Sequence, residues 1–66
     1  MLPHQQRVID EKNELDIKAK ALGDFIGLNP TFATLSNDEK DRLKRQSEIM
    51  NEYSKVLGER IAAFTK

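Results

Sequence analysis

Several residue types with which small proteins stabilise themselves are scarce in this 66-residue chain. It contains no cysteine, so neither a disulfide nor a cysteine-bound zinc is available to it. His4 is the only histidine, which leaves a structural metal site short of ligands. A domain this short buries only about 60% of the surface that its unfolded chain exposes. Because oligomerisation is the remaining means of stabilisation, we expect one domain, residues 1–66, that self-associates.

Long apolar runs and an excess of one charge sign are also absent. No run approaches the roughly 18 residues that cross a bilayer, and the first residues lack the apolar segment of a secretory signal. The 11 lysines and arginines balance the 11 aspartates and glutamates, so broad attraction to DNA, RNA or membranes is not expected. The lack of cysteine fits a cytoplasmic protein. A few well-placed cations can still hold a compact anionic ligand.

Signals of catalysis are weak as well. No serine or other nucleophile is accompanied by a histidine in a known motif, and no glycine-rich loop follows a strand. Carboxylate pairs such as Asp10 and Glu14 occur on every charged helix. The sequence therefore predicts a protein that is not an enzyme, with no catalytic residue, metal or cofactor.

Apolar periodicity is the strongest positive signal, and in the first half it predicts one long helix. Pro3 suits the first turn, where its missing N–H is not needed. One stripe of apolar residues follows at helical spacing: Val8, Leu15, Ala19, Leu22 and Ile26. Gly27 is a natural C-cap. Asn29 and Pro30 then predict a short turn of helix, with Phe32 and Leu35 closing the end of the core.

The second half predicts another helix, from about residue 37 to residue 64. Ser36 can cap the amide of Glu39, while the Glu39 side chain returns to the Ser36 amide. A heptad rhythm predicts the face that packs on the first helix: Leu43, Gln46, Met50, Tyr53, Leu57, Arg60 and Phe64. The expected fold class is therefore all-α, an antiparallel hairpin of two long helices that assembles into a homo-oligomer.

A second apolar stripe on this helix points to a protein interface. Ile49, Val56 and Ala63 are seven residues apart and lie beside the heptad face, where one hairpin partner cannot cover them. They predict a seam between subunits, and the alternative is an adaptor that docks another protein there. Ile17 on the first helix is instead interpreted as a scattered surface residue.

Arg60 and Gly58 depart from the pattern around them. A glycine inside a helix is less stable than alanine by about 1 kcal/mol, and it suggests that something approaches the backbone closely. Arg60 supplies a fork of donors suited to phosphate, or it extends to water or pairs with Glu52 or Glu59. The other charges of both helices are typical of solvated faces.

Three segments resemble the phage anti-CBASS nucleotide sponge, whose helical hairpin domain is shared with the Thoeris anti-defence sponge. They are Pro3–Lys12, Leu22–Ile26 and Glu52–Phe64. The resemblance implies a hexamer that sequesters cyclic dinucleotides and cyclic trinucleotides, without degrading them, in the cytoplasm of the infected bacterial host.

The resemblance also implies two kinds of site. Near a threefold axis, Gly58 and Arg60 would contact cyclic trinucleotides, with Leu57 and Ile61 beside them. Between protomers, the first helix would bind cyclic dinucleotides through a stacking ring and a phosphate-binding lysine. The chain has no tyrosine in that helix, so His4 is the candidate ring, Lys18 the candidate lysine and Arg7 a neighbouring cation.

Overall fold

The computed structural model describes residues 2–64 as two long helices joined by a short elbow. Helix α1 spans Pro3–Leu28 and helix α2 spans Asn37–Ala63, with a 3-10 helix, Pro30–Thr34, between them. The helices pack antiparallel along their lengths, forming a rod of 47 × 15 × 14 Å. No strand occurs within the described range. The predicted helical hairpin is confirmed.

The ends of α1 are set by local hydrogen bonds. Pro3 occupies the first turn, and the Leu2 amide donates to Gln5 Oε1 at 3.2 Å. The expectation that Gly27 caps the helix is wrong: α1 continues to Leu28, and the amide of Asn29 donates to the Phe25 carbonyl at 3.3 Å. No glycine adopts the left-handed conformation of a glycine cap, so the helix runs through Gly27.

The elbow and the start of α2 follow the predicted caps closely. Asn29 Oδ1 accepts from the Thr31 amide at 2.9 Å, and Ser36 Oγ accepts from the Glu39 amide at 3.2 Å. The returning half of the Ser36 cap is not formed, because the Glu39 carboxylate accepts from Arg42 Nε at 2.8 Å. Both caps satisfy amides that lack helical partners.

The elbow also closes one end of the core with aromatic rings. Phe25 and Phe32 meet edge to face, with ring centroids 6.2 Å apart. Lys40 Nζ and Lys44 Nζ each lie 6.0 Å from the Phe32 centroid, within range of a cation–π contact. Phe32 and Leu35 are half-buried, as their predicted position at the end of the core requires.

The face of α1 that packs on α2 is the predicted one. Val8 is buried, and the other members of the apolar stripe are half-buried. These are Leu15, Ala19, Leu22 and Ile26. Lys12 and Asp16 are also half-buried. Lys12 lies in the interval between Val8 and Leu15 where the apolar stripe is interrupted, and Asp16 lies one turn after Lys12. The helix therefore brings two charged residues into its packed face.

The packed face of α2 follows a different heptad phase from the predicted one. Four residues are shared by both phases and are buried or half-buried: Leu43, Met50, Leu57 and Phe64. The intervening positions are Ser47, Ser54 and Ile61, whereas Gln46, Tyr53 and Arg60 are exposed. The larger polar side chains turn outward and the small serines pack inward. Arg60 is consequently absent from the hairpin core.

Candidate functional site

An exposed, largely apolar face of α2 lies beside the seam with α1. We call it the outer face; its members are Ile49, Tyr53, Val56, Arg60 and Ala63. At about 100° per residue they fall within a sector of about 80°. Ile49 is 60% exposed, Val56 48% and Tyr53 43%. The expectation that Ile49, Val56 and Ala63 lie outside the hairpin core is confirmed.

Arg60 is the charged member of the outer face. It follows Val56 by one turn and precedes Ala63 by nearly one, so apolar side chains lie on both sides along the helix. Within residues 2–64 no carboxylate forms an ion pair with its guanidinium, so the alternative pairing with Glu52 or Glu59 is not observed. Arg60 also lies in the last turn of α2, where the helix dipole favours a cation.

Gly58 lies on the opposite side of α2 from Arg60, because residues two apart on a helix do not face each other. A Cβ atom at Gly58 would lie 3.4 Å from Cε of Lys12. The group that approaches the glycine is therefore a side chain of α1. Leu57 is 1% exposed and Ile61 is half-buried in the seam. Among the four residues of the expected trinucleotide site, Arg60 alone is exposed.

Lys12, Asp16 and Ser54 form a polar cluster across the seam, and sequence reasoning had interpreted its charges as a solvated face. Lys12 Nζ donates to Asp16 Oδ2 at 2.7 Å, and Ser54 Oγ donates to Asp16 Oδ1. The hydrogen bond from Lys12, followed by that from Ser54, lowers the pKa of Asp16 below its ordinary value of 3.8. The available signal was the interruption of the apolar stripe between Val8 and Leu15.

The residues expected to bind cyclic dinucleotides lie along one exposed flank of α1. The His4 ring meets Phe64 edge to face, with centroids 6.4 Å apart, and His4, Arg7 and Lys18 are all exposed. Lys18 lies fourteen residues beyond His4, which at about 1.5 Å per residue is about 21 Å along the helix. One chain therefore does not assemble these three side chains into one pocket.

An open groove lies at the elbow. Its volume is about 490 Å³, and it is lined by Ala21, Asp24, Phe25, Leu28, Asn29 and Pro30. In the part of the chain that the structure describes, no group of three or more histidines and carboxylates is arranged to hold a metal ion. Neither helix of that part is apolar enough over a sufficient length to cross a membrane.

Comparisons with known proteins give one family model and one phage relative. The family model described as Sequestin matches residues 2–63. The chain is similar to a protein of Enterobacteria phage T4, the uncharacterized 7.5 kDa protein in the denB-rIIB intergenic region. The two are 38% identical over 64 residues, which cover 97% of this chain and 98% of the phage protein. No solved structure matches the chain.

Proposed function

Since this chain belongs to the Sequestin family, we propose that it is a phage protein that sequesters cyclic oligonucleotide messengers of bacterial immunity. It binds cyclic dinucleotides and cyclic trinucleotides in the cytoplasm of the infected host and does not degrade them. Effectors of CBASS-type defence are thereby deprived of their activating ligand. The family and the phage relative support this proposal, together with a helical surface suited to anions.

The observation that carries the proposal is an arginine in an exposed apolar face, without an ion-pair partner within residues 2–64. Arg60 lies between Val56 and Ala63 and has no carboxylate partner among the described residues. A guanidinium presents a rigid fork of donors that matches phosphate oxygens. An apolar surround strengthens such a contact, because it lowers the local dielectric constant. The outer face is therefore suited to a ligand that combines phosphates with flat apolar rings.

The same face supports assembly into a homo-oligomer, which we infer to be a hexamer of hairpins. Val8 and Leu57 are the buried hydrophobic residues of the described chain, and so small a core is marginal. Subunits that pack through Ile49, Val56 and Ala63 would bury more apolar surface. Around a threefold axis, three copies of Arg60 would converge. The three phosphates of a cyclic trinucleotide would relieve the repulsion between them.

The decisive test replaces Arg60 with alanine and measures binding of cyclic triadenylate by calorimetry. We expect Arg60→Ala to abolish binding and to leave the oligomer intact, because it removes the phosphate contact and the repulsion between subunits. Wild-type binding should weaken as salt is added. Lys55→Ala is the matched control, since Lys55 is an exposed cation of α2 on another side of the helix. The affinity of Lys55→Ala for cyclic triadenylate should stay within about twofold of wild type, because a distant exposed charge contributes little to binding.

Two outcomes would contradict this assignment. If Arg60→Ala breaks the oligomer but retains the ligand, Arg60 is a structural residue. If the wild-type protein binds no cyclic nucleotide, the outer face is better interpreted as the docking surface of an adaptor. The mass of the ligand released from the denatured complex is a further measurement. A hydrolysed product in place of the intact ring would indicate an enzyme.

For cyclic dinucleotides we propose a separate pocket that includes His4, Arg7 and Lys18 and is completed by a neighbouring protomer. His4→Ala and Lys18→Ala should each weaken cyclic diadenylate, and Lys18→Ala by roughly ten- to a hundredfold, because it removes a charged phosphate contact. Neither should alter the affinity for cyclic triadenylate. Unchanged affinity for the dinucleotide in both variants would exclude this placement, and Arg7→Ala would then be measured.

A further inference from the structure

We infer that Lys12, Asp16 and Ser54 fix the register of α1 against α2, and that a small residue at position 58 leaves room for the Lys12 side chain. We call these three residues the register cluster. Their action on ligand binding rests on the proposed function: by fixing the register they would place Arg60 at the height along the hairpin that an assembled site requires. They are positioning residues, and Arg60 remains the residue that contacts the ligand.

The contacts of the register cluster link the helices at two successive levels. At one level Ser54 of α2 donates to Asp16 of α1. At the next, the Lys12 stem crosses Gly58, with its Cε 3.4 Å from the position of a Cβ atom there. The Lys12 ammonium group then donates to Asp16 at 2.7 Å and joins the two levels. Each member therefore constrains the axial position of the opposite helix.

The rest of the seam specifies the register only weakly. Its apolar members recur every three or four residues on both helices, so a slip of one turn, about 5.4 Å, would again place aliphatic side chains opposite one another. The same slip would place Asp16 opposite Met50 or Gly58, neither of which has a side-chain hydrogen-bond donor for it. A half-buried carboxylate that loses its partners is unfavourable. A polar group within an apolar seam is a known means of selecting one register.

The chain contains its own matched control for this cluster. Lys20 and Asp24 form the same i,i+4 pair on the same helix, with Nζ 2.9 Å from Oδ2. Their side chains are 78% and 52% exposed, and their hydrogen bond stays within α1. Removing this pair changes the same charges and the same local helix contacts. It does not remove a polar contact across the seam.

The register can be measured as a distance between two spin labels. Because the chain has no cysteine, cysteines introduced at Asn13 and Asp41, both exposed, would be labelled uniquely. Labelled protein is diluted with unlabelled protein so that distances between chains do not contribute. In the variant Lys12→Ala with Asp16→Ala, we expect a population displaced by about 5 Å, one helical turn. The control Lys20→Ala with Asp24→Ala should keep the single wild-type distance.

Ligand binding is the second readout. The register variant should bind cyclic triadenylate roughly tenfold more weakly or worse, because Arg60 would no longer lie at the height along the hairpin that the site requires. The control should bind with the affinity of the wild type. A lower melting temperature with an unchanged distance would overturn the inference, since the cluster would then only stabilise the fold. A displaced distance with unchanged affinity would overturn its positioning role.

The two proposals fail in different ways. If wild-type protein binds no cyclic nucleotide, the proposed function fails, and the spin-label distances still decide the register. If the double variant does not fold, the spin-label distance is measured in Asp16→Asn instead. This substitution keeps the shape of the side chain and removes the negative charge to which Lys12 and Ser54 donate hydrogen bonds. A displaced distance in Asp16→Asn would support the inference, and an unchanged one would overturn it.

Discussion

Asp16 carries its charge at the seam between the helices, and the folded structure favours its ionised form. Hydrogen bonds from Lys12 and then from Ser54 hold its pKa below the ordinary value of 3.8. Because the folded pKa lies below the unfolded one, the stability that this group contributes is complete above about pH 3.8. This contribution to stability is lost as the pH falls through the lower pKa that Asp16 has in the folded state. Acid should therefore weaken the seam specifically at this residue.

The corresponding prediction compares the pH dependence of unfolding in wild type and in Asp16→Asn. Between about pH 6 and pH 2, the urea midpoint of the wild type should fall further than that of the variant, which has no carboxylate to protonate at this site. Asp24→Asn serves as control and should retain the acid response that Asp16 contributes. Equal pH profiles for wild type and Asp16→Asn would show that these hydrogen bonds do not favour the charged form in solution.

At the scale of the helix, the two interior glycines have different surroundings. A Cβ atom at Gly23 of α1 would meet no atom within 4 Å, while one at Gly58 of α2 would touch the Lys12 stem at 3.4 Å. Alanine is favoured over glycine inside helices by about 0.5–1 kcal/mol. Both glycines therefore leave that stabilisation unused, since 3.4 Å is an ordinary contact distance.

We predict that Gly23→Ala and Gly58→Ala each raise the free energy of unfolding by about 0.5–1 kcal/mol, because an added Cβ atom meets nothing at Gly23 and meets Lys12 at an ordinary contact distance at Gly58. Gly58→Leu should instead lower stability, since its larger side chain takes the space of the Lys12 stem. Urea unfolding at one fixed protein concentration checks all three. A Gly58→Leu variant as stable as wild type would show that the Lys12 stem does not occupy the space beside residue 58.

The packed face of α1 could be predicted from the sequence, whereas that of α2 could be predicted only in part. The stripe of α1 was predictable because its positions are plainly apolar. On α2, two heptad phases share Leu43, Met50, Leu57 and Phe64 and differ only in the residues between them. One phase adds Gln46, Tyr53 and Arg60, and the other adds Ser47, Ser54 and Ile61. Composition alone favours neither phase clearly, and the choice depends on a residue of the other helix, because Ser54 finds Asp16 across the seam.

In the candidate site, too, the features that depend on one helix could be predicted and those that depend on both helices could not. Ile49, Val56 and Ala63 could be placed outside the core because a seven-residue spacing depends on one helix alone. The contact between Lys12 and Gly58 joins residues far apart in the chain, so periodicity within a helix carries no sign of it. The glycine itself was a usable signal of close approach. The direction of that approach, from α1, required the structure.

Considered as a whole, the molecule is a narrow rod that leaves one apolar face uncovered, and association through that face is testable. Val56→Asp should dissociate the oligomer at micromolar concentration, because it places an unpaired charge within an apolar contact. Light scattering after size exclusion measures the mass. Ile17→Asp is the matched control: Ile17 is an aliphatic residue of α1, 70% exposed, and this variant should keep the wild-type mass.

Other outcomes of that comparison are equally informative. An oligomer that survives Val56→Asp would remove the outer face from the interface. Dissociation by Ile17→Asp as well would extend the interface onto α1. A wild-type protein that is a stable folded monomer at micromolar concentration would contradict the assembly altogether, and with it the convergence of Arg60 around an axis.

The contact between the His4 and Phe64 rings places the beginning of α1 and the last turn of α2 at the same end of the rod. A short flexible bridge between these two points would close the polypeptide into a ring, and opening the ring between Leu35 and Ser36 would yield a circular permutant that begins with α2. Exposed connections tolerate such cuts best. In the permutant Ser36 would still cap its helix and Phe25 would still meet Phe32, while the covalent link between the elbow and α2 would be absent. Comparing its refolding rate with that of the wild type would therefore show how much the turn, as opposed to the seam, contributes to pairing the helices.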